Sequence, residues 1–145
     1  MQKNTYQILE NIIFKLVSIL NKRGKRVLSE KVVTTLFLEI SNKKLSPIRL
    51  ILFAIEVMKP LVLIKQVKIR GLSFTVPYPQ SKQQQFAFTL RLIIQTVKTN
   101  KKKISKALTE EFINIYRGKS ILYSEITKLN SLAIKNKTFS FYRWF

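Results

Sequence analysis

Lys59-Pro60-Leu61-Val62-Leu63-Ile64-Lys65-Gln66-Val67-Lys68-Ile69-Arg70-Gly71-Leu72-Ser73-Phe74-Thr75-Val76-Pro77 changes the period of a sequence that is helical on both sides of it. Residues 61–69 and 72–78 are rich in β-branched and apolar side chains, and they meet at Arg70-Gly71. In the first run Val67 and Ile69 alternate with Lys68 and Arg70; in the second, Leu72, Phe74 and Val76 alternate with Ser73 and Thr75. A period of two puts successive side chains on opposite faces, so two such runs around a glycine turn predict a β-hairpin. It covers about 61–78, with one apolar face and one basic or polar face, and Pro77 and Pro79 end it. A lone two-stranded hairpin is marginal in water, so this one must pack on helices at its base or be held by a partner at its tip.

Toward the N-terminus the period returns to that of a helix. Over 5–20, Ile8, Ile12, Leu16 and Ile19 fall at helical spacing beside Leu9, Ile13 and Leu20, and Gly24 stops the helix. A second helix over 28–42 carries Val32, Val33, Leu36, Phe37 and Ile40. Ser46-Pro47 forms an N-cap with proline at the first helical position, and the third helix presents Ile48, Leu52 and Ile55 before Pro60. Beyond the hairpin, Ser81 with Gln84 has the spacing of a capping box. Its helix shows Phe86, Leu90, Ile93, Ile94 and Val97. A basic loop over 99–103 leads to a helix with Ile104, Leu108, Phe112 and Ile115 that stops near Gly118. The last helix presents Leu122, Ile126, Leu129 and Ala133. The expected fold is mainly α: a six-helix bundle with one protruding β-hairpin between the third and fourth helices. With no repeat and no linker, residues 1–145 form a single domain.

Composition narrows what such a fold does. A chain of 145 residues, 46% hydrophobic, supports one modest core. Its 27 Lys and Arg against 7 acids give a formal net charge of +20. A globule this basic belongs beside a polyanion, with nucleic acid first and an anionic membrane surface second. Cys, His and Asp are all absent. That removes disulfides, thiolate nucleophiles, imidazole bases, Cys/His metal sites and Ser–His–Asp triads. The adjacent Glu110 and Glu111 do not share a helix face, so they make no acid–base pair. No catalytic residue, metal, cofactor or small-molecule substrate is expected. The most apolar stretch, Leu45 to Ile64, is interrupted by Arg49, Glu56, Lys59 and Pro60, so no membrane span is expected, and no cleavable targeting signal stands out. Lys (20) far outnumbers Arg (7), and Ile (18) far outnumbers Ala (4), the skew of AT-rich codons.

Four basic clusters are the candidate site: Lys22, Arg23, Lys25 and Arg26; Lys65, Lys68 and Arg70; Lys98, Lys101, Lys102 and Lys103; and Lys135, Lys137 and Arg143. Any one alone is ordinary solvated surface. Four with few acids between them suit the irregular phosphate surface of folded RNA. The tail Phe139-Ser140-Phe141-Tyr142-Arg143-Trp144-Phe145 has two readings. Its rings stack on unpaired bases, with Arg143 on a phosphate, or they pack back on the helices. Packing is the expectation for Phe139, and RNA contact for Tyr142, Arg143 and Trp144.

In this order the pieces resemble the small-subunit ribosomal protein seven family, over roughly residues 12–144. The most specific part is Lys59 to Lys65 followed by Gly71-Leu72-Ser73-Phe74-Thr75-Val76-Pro77. Gly24-Lys25-Arg26 with Glu30, Arg91 in the fourth helix, Asn136-Lys137, Phe139 and Tyr142-Arg143-Trp144 complete the likeness. The resemblance implies a structural protein bound to the 3′ major (head) domain of small-subunit rRNA, supporting head assembly beside neighbouring head proteins. It also implies a hairpin near the exit-site tRNA and the mRNA path. Lys25, Arg26, Arg91 and Lys98 would then face rRNA, and Lys65, Lys68, Arg70 and Gly71 would lie on the hairpin.

The departures are specific. Arg70-Gly71 stands where the family has a glycine pair, so the turn geometry is open to change. Ser81, Gln84 and Gln85 replace basic residues that open the fourth helix. A basic N-terminal arm and a longer C-terminal tail are expected to be missing. With the codon skew, these favour a mitochondrial, organelle-encoded ribosomal protein over a plastid or bacterial one. The competing readings are a free-standing basic helical nucleic-acid-binding protein and, further off, a peripheral membrane protein.

Overall fold

The computed structural model describes residues 2–100 and 102–144, and the side chains of residues 2–6, 8 and 9 are outside that description. Ile8, Leu9, Lys101 and Phe145 from the readings above therefore lie outside the described side chains. Six α-helices form the body: α1 (Gln2–Leu20), α2 (Arg26–Asn42), α3 (Pro47–Met58), α4 (Lys82–Lys98), α5 (Ile104–Tyr116) and α6 (Leu122–Lys135). Between α3 and α4 stand β1 (Val62–Ile69) and β2 (Leu72–Pro79), an antiparallel pair. A 3-10 helix, Lys137–Tyr142, closes the order and is the one element the residue pattern did not predict.

The core is one cluster drawn mainly from the first five helices. Leu16, Leu36, Ile40, Ile51, Met58, Leu90, Ile93, Ile94, Leu108, Phe112, Ile115 and Leu122 are essentially without solvent contact. Of the expected stripes, Val33, Leu36 and Ile40 of α2, Leu90, Ile93, Ile94 and Val97 of α4, and Leu108, Phe112 and Ile115 of α5 are buried, Val32, Phe37 and Phe86 are partly buried, and Ile104 is exposed. α3 is rotated from expectation: Leu50, Ile51, Ala54, Ile55 and Met58 are buried, and Leu52 is exposed. Its sequence is apolar nearly all round, so hydrophobic spacing alone cannot choose a face. Arg49 and Glu56, seven apart, mark the outer face, and Leu52 lies between them on it. α6 keeps only Leu122 buried; Tyr123 and Ile126 pack half-buried against the core, and Leu132 and Ile134 are exposed.

Local chemistry sets the helix ends. Ser81 Oγ accepts from the Gln84 amide and Gln84 Oε1 accepts from the Ser81 amide, so the expected capping box forms. Ser46 precedes Pro47 at the start of α3 as expected, but its hydroxyl makes no capping bond. After α5, Gly118 at φ 72° donates its amide to the Ile115 carbonyl, and the Lys119 amide donates to Asn114. That is a Schellman ending. α2 ends the same way around Lys44 at φ 57°, with the Lys44 amide on Ser41 and the Leu45 amide on Ile40.

The hairpin register pairs Leu63 with Tyr78, Lys65 with Val76, Val67 with Phe74 and Ile69 with Leu72. Directly opposed residues share a face, so these eight line one side of the ribbon. Ile64, Gln66 and Lys68 share the other with Pro77, Thr75 and Ser73. Pro77 does not end β2; the strand runs through it and ends at Pro79, as expected of the second proline. Being two apart they have the same parity, which lets both ring nitrogens point away from β1, where no amide is needed.

Candidate nucleic-acid interface

The hairpin turn has two residues, Arg70 at φ 48° and Gly71 at φ 84°. Positive φ at both central positions is the requirement of a type I′ turn, which matches the twist of the strands. Arg70 thus takes a conformation that glycine adopts freely, at a cost of about 1 kcal/mol. The two-residue turn is retained despite the arginine. Leu63, Val76 and Pro77 are buried at the base, whereas Lys68, Arg70, Gly71 and Leu72 are exposed at the tip.

Lys65 does not join Lys68 on a common basic face. Three positions from Lys68, it has the opposite parity and stands among Leu63, Val67 and Val76. Arg70 belongs to the turn rather than to either face. The hairpin therefore presents its charge at its end and along one side, with Lys65 on the apolar side.

That apolar side is where the C-terminus settles. Phe74 meets Phe139 at 5.2 Å between ring centroids and Tyr142 at 5.8 Å, and Tyr142 meets Trp144 edge-on at 5.5 Å. Packing holds for Phe139 as expected and extends to Tyr142, whose faces are used within the protein. Trp144, 63% exposed, and Phe141, 89% exposed, keep most of their surface in water. Arg143 is exposed and its Nε donates to the Ser140 carbonyl at 2.8 Å. Lys137 and Arg143 share a cleft with Val62 and Pro79 at the hairpin base, so most of the fourth basic cluster is assembled.

The first and third clusters lie at opposite ends of α2. Lys22, Arg23 and Lys25 occupy the turn before α2, where Arg23 (φ 52°) and Gly24 (φ 73°) are both left-handed. Arg26 opens α2 and its Nε pairs with Glu30 at 2.9 Å. At the other end Glu39 accepts from Ser105 and Thr109, fixing the start of α5 beside the end of α2. Lys102 and Lys103 stand there at the start of α5, and Lys98 ends α4 just before them in the chain. The 17 residues of α2 span about 26 Å, so the two clusters form separate poles. Arg91 is exposed on α4, about two turns before Lys98.

At the second pole Lys102 Nζ lies 2.6 Å from Glu110. The Lys102 hydrogen bond holds the Glu110 carboxyl below its ordinary value against a smaller opposing effect of burial, helped by the charges of Lys102, Lys43 and Lys106. Lys43 and Lys106 also belong to this group, which the basic runs of the sequence do not show. The Lys43-Lys44 pair was visible in sequence, but its nearness to Lys106 depends on how α2 meets α5. Glu111, one residue on, is buried instead and accepts from Ser120. The two carboxylates point to different surroundings, as their adjacency on a helix requires.

Among the described residues no group of three or more His, Cys, Asp or Glu could hold a metal ion, and no helix is long and apolar enough to cross a membrane.

The chain matches the ribosomal protein S7p/S5e family over residues 1–137. It is 29% identical over 136 residues to small ribosomal subunit protein uS7 of Wigglesworthia glossinidia brevipalpis, covering 92% of this chain and 86% of that protein. Against protein uS7m of the small ribosomal subunit of Reclinomonas americana it is 26% identical over 137 residues, covering 93% and 86%. Against the uS7 protein of Thermotoga maritima the figures are 24% over 135 residues, 92% and 87%. The family match includes the hairpin and both poles of α2 and stops at Lys137, so Phe139 and Tyr142 to Trp144 stand beyond it. With nearly the whole chain matched and a hairpin set between α3 and α4 as the likeness implied, the chain belongs to the ribosomal protein S7p/S5e family, structural and non-enzymatic proteins of the translation machinery.

Proposed function

We propose that this protein is a structural constituent of the small ribosomal subunit that binds the 3′ major (head) domain of its rRNA, supports head assembly, and holds its hairpin near the exit-site tRNA and the mRNA path. The observation that carries this is the hairpin. It pairs with no third strand among the described residues and leaves Lys68 and Arg70 exposed at its end. An exposed basic tip on a buttressed base suits a contact with RNA that comes and goes, whereas the body offers cations for a permanent one.

The rRNA-facing cations are those of the first pole, Lys22, Arg23, Lys25 and Arg26; those of the second, Lys98, Lys102 and Lys103; and Arg91 between. Lys135, Lys137, Arg143 and Trp144 add a third contact beside the hairpin base. Neighbouring head proteins cover the remaining surface. The ribosome is mitochondrial in this reading, supported by the codon skew and by the likeness to a uS7m protein. Replacing Lys25, Arg26, Arg91 and Lys98 with Gln weakens binding to the head-domain rRNA and flattens its salt dependence. An unchanged salt slope overturns that assignment. Trimming residues 67–73 leaves the protein sedimenting with small subunits but disturbs tRNA or mRNA handling; loss of the protein from the subunit makes the hairpin an anchor instead.

A further inference from the structure

A groove of about 830 Å³ runs between α1 and α2 on the outside of the bundle, with Val17 and Val33 deep in it and Phe14, Phe37 and Leu38 along it. Phe14 is 62% exposed and Leu38 63% exposed. Large apolar side chains left this open beside a concave surface mark an interaction site. The charges at the groove are unusual for this molecule: Glu10, Glu30 and Arg26. Arg26 is already paired with Glu30, and Glu10 makes no ion pair among the described residues. α1 and α2 run antiparallel across residues 21–25, so Glu30 lies toward the turn and Glu10 toward the far end. A chain of net charge +20 thus has an apolar channel with a carboxylate toward each end.

We propose that this groove receives an amphipathic helix of a neighbouring protein, apolar on the face it buries and carrying Lys or Arg at its flanks. The furrow between two antiparallel helices accepts a third helix by ridges-into-grooves packing. From Glu30 to Leu38 the channel is about 12 Å long, or roughly two helical turns. RNA is disfavoured, because the lining is largely apolar, its one cation, Arg26, is held by Glu30, and Glu10 repels phosphate. A second copy of the chain is disfavoured by its own charge. A basic segment is drawn in by Glu10 and competes with Arg26 for Glu30, and electrostatic complementarity of this kind selects between partners more than it adds affinity. The groove shares only Arg26 with the rRNA-facing residues proposed above.

Fluorescence anisotropy on the full chain at moderate salt tests it, with a synthetic Leu/Lys amphipathic helical peptide and a Leu/Glu peptide of identical apolar face. The Leu/Lys peptide binds although it shares the sign of the protein's charge. Phe14→Ser with Leu38→Ser, and separately Glu10→Gln with Glu30→Gln, weaken it by about tenfold. All four positions are exposed, so the core is kept. The proposal is overturned if Leu/Lys binding ignores both double variants, or if only the Leu/Glu peptide binds. It is equally overturned by a dimer in sedimentation that Phe14→Ser dissolves, or by a photo-cross-linker at residue 14 that captures rRNA in assembled subunits.

Discussion

Arg70 illustrates how much a single residue can carry. Its left-handed conformation is imposed by the two-residue turn, so Arg70→Gly relieves strain and stabilises the fold by about 1 kcal/mol. Gly71→Ala, at φ 84°, destabilises by a similar amount, although open space surrounds that position. Denaturant midpoints check both; a destabilised Arg70→Gly protein would show that the arginine side chain supports the hairpin. Glu110 offers a second test. With its folded pKa below the ordinary value, its contribution to stability is present above the unfolded value and is lost as pH falls through the folded one. Lys102→Met moves the Glu110 titration upward, readable from its side-chain carboxyl chemical shift. Glu110 is half-exposed, so the accompanying change in stability is small.

Among elements, the hairpin and the terminal 3-10 helix form a unit. The apolar face of β1 and β2 would be wet toward the tip but for Phe139 and Tyr142, which cover Phe74. Aromatic pairs of this geometry contribute about 0.5–1.5 kcal/mol each beyond area burial. Phe74→Ala or Phe139→Ala therefore raises amide exchange in β2 well before it affects α2 or α5, measured by hydrogen exchange resolved by residue. Equal acceleration throughout the bundle would mean that the tail supports the core and not the hairpin. The hairpin itself was legible in the sequence because period two, a glycine turn and flanking prolines are local signals. Its buttress was not, since Phe74 and Phe139 are 65 positions apart and nothing in either neighbourhood names the other.

On the scale of the whole molecule, charge is arranged as poles. The turn before α2 and the Lys43, Lys102 and Lys106 group are about 26 Å apart along α2, several times the roughly 8 Å Debye length of physiological salt. Neutralising Lys22 and Lys25 at one pole, and Lys43 and Lys106 at the other, should lower rRNA affinity additively in a filter-binding or anisotropy series. Each phosphate contact removed should reduce the salt slope by about one unit. A pair of poles that failed to add would have to share one RNA contact.

By itself the sequence determined the helices, the hairpin with its turn position, the capping box and the exclusion of thiolate, imidazole and aspartate chemistry. Each depends on residues within a turn or two of one another, or on residue types that are simply absent. The tertiary structure alone decided that Tyr142 lies against Phe74, and that Lys43 and Lys106 join Lys102 around Glu110. Rings and cations far apart in sequence become neighbours only when the tail folds back on the hairpin and α2 and α5 pack together. Even the groove between α1 and α2 appears only then, because Phe14 and Leu38 fit a helical stripe equally well whether they are covered or left open.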